Sequence, residues 1–223
     1  MTKPLRKVSA SRIARGVVAP YRVDFKTRAH LDDWDESDAI TEVRGDIVHI
    51  ADDEEETDVG TLHAWCIRSA RISEIGTDFF TVCDIASQEL CDIASLVWDS
   101  DAAEYRDALE LQMPIGDLLV PATIEIVPEH RGKGVGLLTV WRFIDYFGGG
   151  AAVTVLKPHP LHAKKNTAEL KRGIGKLKEH WGRLGFRPLP KTCSVGNLVA
   201  SDYFFLDMAL RRPRLEDLLK DRS

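Results

Sequence analysis

Apolar and polar positions follow regular periods over the second half of the chain. Apolar runs at residues 118–127 and 151–156 predict two buried strands, and a helical spacing of apolar residues at 134–147 predicts the helix between them. A longer helix is predicted over residues 166–184, with an apolar stripe made of Leu170, Ile174, Leu177, Trp181 and Leu184. Residues 203–210 predict a final strand. This half is therefore predicted to mix strands with helices.

The first half has a less regular pattern. Strands are predicted at residues 17–25, 43–50, 60–67 and 72–82. The acidic residues 52–58 predict an exposed hairpin loop, and the alternative is a metal site, although their spacing matches no calcium loop. A helix capped by Asp84 is predicted next, from the stripe of Ala86, Leu90, Ile93 and Val97. Residues 102–111 predict a second helix.

Composition and charge narrow the class of protein. The chain has 223 residues, 44% hydrophobic and 29% charged, which fits one globular domain at 16–212 between a basic tail at 1–15 and a C-terminal tail at 213–223. The net charge of −5 and the pI of about 5.8 are less basic than is usual for a nucleic-acid-binding domain, so no nucleic-acid partner is expected. The mild net negative charge has two explanations. It attracts a cationic partner, or it is ordinary solvated surface charge.

The sequence shows no sign of export or of a membrane span. The basic N-terminus is not followed by an apolar segment. The four cysteines (Cys66, Cys83, Cys91 and Cys193) form no C-x-x-C pair and lie near no histidines at zinc-ligand spacing. We therefore expect no metal, buried free thiols and a reducing, cytoplasmic setting.

The stretch with the clearest chemistry is residues 124–136, which read I-E-I-V-P-E-H-R-G-K-G-V-G. The pattern predicts a strand, a tight turn and the start of a helix. Gly132, Gly134 and Gly136 leave the turn without Cβ atoms, so its backbone N–H groups can approach an anion closely. The helix N-terminus adds unpaired N–H donors, and two neighbouring cationic side chains add charge. Together these features predict a cradle for a diphosphate.

Two common phosphate motifs do not fit this stretch. A P-loop requires Lys directly after its second glycine, and here Val135 follows Gly134. A dinucleotide fingerprint that begins at Gly132 requires a third glycine at position 137, which is Leu137. The remaining pattern is R-x-x-G-x-G after a strand that ends in V-P-E.

With its flanking residues, this pattern resembles motif A of the GNAT superfamily of N-acetyltransferases, whose usual form is V-x-P-x-x-R-G-x-G-x-G. Here the motif runs from Val127 to Gly136 as V-P-E-H-R-G-K-G-V-G. Residues 181–186, W-G-R-L-G-F, resemble the family's Y-x-x-L-G-F segment, which ends a helix and precedes a closing strand. The resemblance covers residues 118–210.

The resemblance implies a mixed α/β (α+β) fold of GNAT type, with a central, mostly antiparallel twisted sheet flanked by helices. It implies acetyl-CoA as cofactor, and its diphosphate would lie on Arg131, Gly132, Lys133, Gly134, Val135 and Gly136. The pantetheine arm would pair with the strand backbone at Glu125, Ile126 and Val127. In this family two helices usually follow the first strand, whereas the helical stretch at 84–98 here comes just before the motif strand.

The implied reaction is direct attack of an amine on the thioester, for which the amine must lose a proton. Glu125 is the candidate general base, since it lies in an apolar strand on the face that it shares with Thr123 and Val127. An ion-paired residue at the sheet edge is the alternative. Where this chain has Trp181, family members often have a Tyr that acts as acid. Trp181 is therefore expected to pack in the core or against the cofactor, and Tyr203 or a water is an alternative acid.

Two functions remain open from the sequence. The first is an N-acetyltransferase acting on an amine of a small molecule or a peptide. The second is a non-catalytic acyl-CoA-binding module that senses or regulates, which the Trp at the usual Tyr position favours. A phosphate site for another nucleotide in an unrelated fold is a third reading. Because edge strands often pair in the family, a homodimer is one expected assembly.

Overall fold

The computed structural model describes residues 20–27, 36–160, 168–210 and 213–220. The basic tail predicted at 1–15 lies outside these residues. The chain begins with three antiparallel strands, β1 (Tyr21–Thr27), β2 (Ile40–Ile50) and β3 (Glu56–Ile67). The predicted hairpin loop is confirmed, because the acidic residues lie at the exposed turn between β2 and β3 and on the start of β3.

A helical segment follows β3. It contains α1 (Ser69–Ile75), α2 (Phe79–Ala86) and α3 (Gln88–Val97), and it ends in a small hairpin of β4 (Trp98–Asp99) and β5 (Glu104–Tyr105). These helices stand after the third strand, immediately before the motif strand, so this half departs from the order that is usual in the GNAT family.

The second half alternates strands and helices much as predicted. Its elements are β6 (Asp117–Ile126), α4 (Val135–Phe147), β7 (Ala151–Leu156), α5 (Ala168–Gly182), β8 (Arg187–Pro188), β9 (Phe204–Asp207) and α6 (Leu215–Lys220). Helix α6 lies in the predicted C-terminal tail, and its Leu218 is buried against the core.

In the part of the chain that the structure describes, seven strands form one sheet in the order β1-β2-β3-β6-β7-β9-β8. Every neighbouring pair in it is antiparallel except β6 and β7, which run parallel. The predicted fold class, a mixed and mostly antiparallel sheet flanked by helices, is confirmed.

The sheet separates two apolar cores. On one face, which we call the α1–α3 face, the three helices cover Ile67, Leu118, Val120, Val153 and Val155. On the other, the α4–α5 face, the helices cover Val43, Leu62, Leu119, Leu156 and Phe204. Consecutive residues from Leu118 to Val120 of β6, and Val155 and Leu156 of β7, belong to opposite cores, as the period of a strand requires.

The predicted strand at 72–82 is wrong, because this segment forms α1 and α2. Gly76 adopts a left-handed conformation (φ 71°) that ends α1, and Asp78 starts α2 by accepting the N–H of Thr81 at 2.8 Å. Asp84 lies inside α2 and does not cap the next helix. That cap is Ser87, whose hydroxyl accepts the N–H of Leu90 at 3.1 Å.

The predicted helix at 102–111 is also wrong. Ala103 and Glu110 have positive φ values of 54° and 50°, which interrupt any helix there. Tyr105 is instead buried edge-on against Phe79 and Trp98, which stack on each other at 4.4 Å. Burial of this aromatic group outweighs the local helical preference.

Candidate functional site

The site is organised around the point where the two parallel strands separate. β6 pairs with β3 along almost its whole length but with β7 only at Asp117, Leu118 and Leu119. In the described part of the chain, the β7 side of β6 is therefore open from Val120 onward. The pairing with β3 shifts beside Pro121, which leaves Ala122 as a bulge residue at the mouth of this opening.

The backbone of β6 alternates between β3 and the opening. Val127 donates its N–H to the carbonyl of Val59 at 2.9 Å, and its own carbonyl accepts the N–H of His130 at 3.0 Å. Strand geometry then directs the N–H of Ile126 away from β3. Of the residues predicted to pair with a pantetheine arm, Ile126 thus turns its N–H to the opening, while Val127 uses its backbone groups within the fold.

The glycine turn has the backbone shape that its sequence predicts. Gly132 and Gly134 have φ values of 74° and 65°, in the left-handed region that favours glycine. Gly134 is the N-cap of α4, where it supplies no side chain to accept the first N–H groups of the helix. Val135 is buried beside Ile47 and Val59, which anchors the start of the helix. The turn therefore presents backbone donors at a fixed position beyond the end of β6.

The two cations of the turn have different placements. The Nε of Arg131 donates to the carbonyl of Ile126 at 2.7 Å, so the guanidinium group is held at the end of β6. Lys133 is exposed. Gly136 lies in the first turn of α4, and a Cβ there would meet Ile124 only at an ordinary contact distance of 3.7 Å. Positive charge therefore flanks the strand end and the turn.

Glu125 lies on the α1–α3 face of the sheet, exposed, opposite Thr61 of β3. Thr123, two residues earlier, is opposite His63 and shares that face. The spacing predicted from the sequence is thus present. The role of Glu125 as general base stays a prediction that the geometry allows.

A group of titratable side chains gathers on the same face near the opening. Its members are His63 on β3, Glu89 and Asp92 on α3, Lys157 after β7 and Tyr203 before β9. His63 is 2.9 Å from Glu42 and packs its ring against Trp65 at 4.5 Å. The Nζ of Lys157 donates to the hydroxyl of Tyr203 at 3.3 Å.

These groups act on one another electrostatically. Burial raises the pKa of Glu89 above its ordinary value, and Lys157 and His63 oppose that shift. Burial likewise raises the pKa of Tyr203, against the hydrogen bond and the charge of Lys157. Side chains from four separate segments of the chain therefore interact on this face of the sheet.

Trp181 lies on the other side of the sheet. It is 8% exposed and packs in the α4–α5 core with Leu156, Leu184 and Phe186. The sheet separates it from Lys157 and Tyr203. A packing role for Trp181, against the core or against a cofactor arm on that face, agrees with this placement.

Three aromatic rings adjoin the turn on the β1–β2 side. The hydroxyl of Tyr21 is 2.9 Å from Nδ1 of His130, and the His130 ring lies 4.9 Å from that of His49. Burial, Lys133 and His49 together lower the pKa of His130. These contacts join the glycine turn to the edge of the sheet.

The sequence did not predict most of the titratable side chains beside the opening. His63, Glu89, Asp92 and Lys157 were not predicted as site residues, and Tyr203 was only an alternative acid. The alternation along residues 60–67 could have placed His63 on the polar side of its strand. The sequence carries no comparable signal for Glu89, because only the packing of α3 brings it to the sheet.

The described residues show two further absences. Within the ranges given above, no three His, Cys, Asp or Glu side chains are grouped so as to hold a metal ion. In the same part of the chain, no helix is both long and apolar enough to cross a membrane.

Comparison with known proteins finds similar solved structures only. No family model matches the chain, and no curated protein matches it. NAA60 of Arabidopsis thaliana in complex with acetyl-CoA is 15% identical, with 74% of this chain and 76% of that chain covered and a TM-score of 0.40. The KacTA–DNA complex is 12% identical, with 90% and 99% covered and a TM-score of 0.40. AtaT with an acetyl-methionyl-tRNA is 9% identical, with 83% and 95% covered and a TM-score of 0.38.

These similar structures are of GNAT acetyltransferases, the superfamily that the sequence motifs resemble. At 9–15% identity and TM-scores of 0.38–0.40, these likenesses do not define the activity of this chain.

One expectation is corrected by these structures. The acidic net charge led us to exclude nucleic acid as a partner. Two of the three similar structures are complexes with DNA and with tRNA, so net charge does not support that exclusion.

Proposed function

We propose that this chain binds acetyl-CoA and transfers the acetyl group to an amine of a small molecule or a peptide. The observation that carries the proposal is the turn at Gly132–Gly134, just beyond the end of β6. Its glycines are left-handed, and no side chain caps the N-terminus of the helix that follows. Backbone N–H groups arranged in this way favour a diphosphate. Arg131 and Lys133 add the matching charge.

The opening between β6 and β7 supports the rest of the cofactor. An extended arm that starts at the turn would run back along β6, where the N–H of Ile126 faces the opening. Amide groups of such an arm would add to β6 as a strand does, with hydrogen bonds in place of the absent β7 pairing. The arm would end near the bulge at Ala122.

Glu125 is the proposed general base. It lies on the α1–α3 face, and the helices that cover this face pack at the other end of β6, around Leu118 and Val120. A carboxylate there would accept the proton that the amine loses as it attacks the acetyl carbonyl carbon. Bound acetyl-CoA supplies the thioester, and the bond from that carbon to sulfur breaks. Holding both reactants in contact contributes at best about 7–11 kcal/mol.

Gly134→Glu tests the proposal. It places a β-carbon at a left-handed position, which costs roughly 1–2 kcal/mol, and a negative charge at the helix N-terminus. We expect a loss of at least tenfold in coenzyme A affinity by isothermal titration calorimetry. Gly149→Glu is the matched control, because it adds the same charge just after the C-terminus of the same helix, where a Cβ meets nothing within 4 Å.

Two results would count against the proposal. One is that the wild-type protein does not bind coenzyme A at millimolar concentration. The other is that ATP stabilises it as strongly as coenzyme A does, which would favour a general nucleotide site.

The second candidate function is a non-catalytic acyl-CoA sensor. The sensor function is favoured by the buried Trp181, which stands where members of the family often have a Tyr that acts as general acid. Tight binding of acetyl-CoA without release of free thiol over a broad panel of amines would support the sensor.

A further inference from the structure

A cavity of about 330 Å³ lies at the C-terminal end of α3, among the elements that cover the α1–α3 face. It is bounded by α2, by the last turns of α3, by the β4–β5 hairpin and by the loop before β9. The side chains that line it include Phe80, Ala94, Trp98, Asp101, Arg106 and Val195.

This cavity is separate from the proposed acetyl-CoA site. Glu89, near the start of α3, belongs to the group beside the opening of the sheet. Ser95, in the wall of the cavity, lies six positions further on, or about 9 Å along the helix at roughly 1.5 Å per residue. The cavity and the glycine turn share no residue.

The guanidinium group of Arg106 is half-buried in the wall and largely unpaired. The backbone N–H of Arg106 donates to the carbonyl of Val97 at 2.9 Å, and its Nη2 donates to the carbonyl of Ser95 at 3.1 Å, so the side chain is fixed at the end of α3. Its Nε is buried without a hydrogen-bond partner, and among the described residues Arg106 forms no ion pair. Because a buried donor without an acceptor is destabilising, a carboxylate is favoured beside this group.

Two carboxylates of the β4–β5 hairpin also line the cavity. The Oδ1 atom of Asp99 accepts the N–H groups of Asp101 at 3.0 Å and of Ala102 at 3.2 Å, so Asp99 is engaged within the turn. Asp101 is exposed, and within the described part of the chain its carboxylate has no ion-pair partner. A ligand with only negative charge would be repelled by these carboxylates, whereas a ligand with one anionic and one cationic group would be attracted to both ends of the cavity wall.

The remaining lining is apolar. Phe80 and Val195 are large apolar side chains that stay exposed, and Trp98 is held in place by its stack on Phe79. An apolar concavity with a few convergent polar groups is the usual form of a small-molecule site. The lining therefore favours a small ligand that also carries an apolar group.

We propose that this cavity binds a free α-amino acid with an apolar side chain. The carboxylate of the ligand accepts hydrogen bonds from Arg106, and its ammonium group pairs with Asp101. Its side chain lies against Phe80, Trp98 and Val195. This inference goes beyond the proposed function and does not depend on it.

Calorimetry with L-leucine and L-phenylalanine tests the proposal. The amide of each amino acid lacks the carboxylate, and the deaminated acids, 4-methylpentanoate and 3-phenylpropanoate, lack the ammonium group. We expect at least one of the two amino acids to bind at millimolar concentration. Its amide and its deaminated acid should each bind roughly tenfold more weakly, because each has lost one charge-assisted contact.

Two variants locate the binding. Arg106→Gln should remove the preference for the amino acid over its amide, and Asp101→Asn should remove the preference over the deaminated acid. Arg183→Gln is the matched control, since the Nη2 of Arg183 also donates to a backbone carbonyl, that of Leu218 at 3.1 Å, beside the α4–α5 core. It should keep both preferences.

The outcomes separate this cavity from other sites. An amino acid that binds as an acceptor beside Glu125 would keep both preferences in the two variants, so an unchanged preference in either variant overturns the proposal. Asp101 is exposed, so its replacement should not disturb folding even if that of Arg106 does. Failure of the wild type to bind either amino acid overturns the proposal as well. Neither result affects the proposed function, which is tested with coenzyme A.

Discussion

Glu125 shows what strand periodicity reveals about a single residue. It was predicted from its place in an apolar run, on the face shared with Thr123, and the structure places it on that face, exposed and opposite Thr61. Nothing in that run indicates which helix or loop stands above it. The position of a strand residue is a local property, whereas its chemical partner is not.

Glu125→Gln is expected to lower kcat about 100-fold, because a positioned base contributes roughly 10²–10⁴-fold. Acetyl-CoA affinity should stay within about twofold of wild type. Release of free thiol, measured with an amine that the wild type acetylates, reports the change. Glu129→Gln is the control, since Glu129 is an exposed turn residue four positions away. Equal losses in both variants would contradict a specific role for Glu125.

At the scale of elements, the helices between β3 and β6 explain where sequence prediction failed. The sequence predicts a strand that ends in Phe79, Phe80 and Val82. These residues instead belong to α2, because Asp78 caps the N-terminus of that helix. α1 and α2, of seven and eight residues, carry too few periods for a stripe to be recognised, whereas the stripe of the ten-residue α3 was recognised. In the second half, β6, α4, β7 and α5 were predicted well because each is longer or is bounded by glycine or proline, and the short β8 and α6 were not predicted. The glycine turn was found for the same reason.

Ser87→Ala tests the joint between α2 and α3. Ser87 ends one helix through its N–H, bonded to the carbonyl of Cys83, and begins the next through its hydroxyl. Loss of that cap should cost about 1 kcal/mol, or roughly 2–4 °C in Tm for a domain of this size.

Ser73→Ala serves as its comparison. The Ser73 hydroxyl is exposed and bonds back to the carbonyl of Ser69 inside α1, so its removal should not lower Tm. If both variants melted alike, the capping role of Ser87 would be refuted.

At the scale of the whole molecule, all four cysteines are buried, Cys83 and Cys193 in the α1–α3 core and Cys66 in the α4–α5 core. Burial raises the pKa of Cys66 to about 12 and that of Cys83 to about 12, so neither forms a reactive thiolate near neutral pH. We expect the native protein to give less than one fast-reacting thiol with Ellman's reagent at pH 8, and four after unfolding in guanidinium chloride. Rapid labelling of the native protein would show that a core opens locally. Because the native protein should react little with Ellman's reagent, the reagent can also measure released coenzyme A with a low background.

The candidate site has two parts, and only one of them can be recognised in the sequence. The glycine turn is one continuous run, so its backbone conformation could be predicted from local sequence. The group of His63, Glu89 and Lys157 comes from segments far apart in the chain. It exists only because the sheet order and the packing of α3 bring those segments together, and no local pattern encodes that meeting.

The chain leaves and re-enters the sheet at a single point. Ile67 and Leu118 are direct partners in the register of β3 and β6, and the Asp117 carboxylate accepts the N–H of Ser69 at 3.1 Å. The segment between them, which contains α1 to α3 and the small hairpin, is therefore one insertion in the sheet whose two ends are adjacent. A different segment joined at those ends would leave β6, β7 and the glycine turn in place. Under the proposed function, such a segment would change the acceptor without changing the cofactor site.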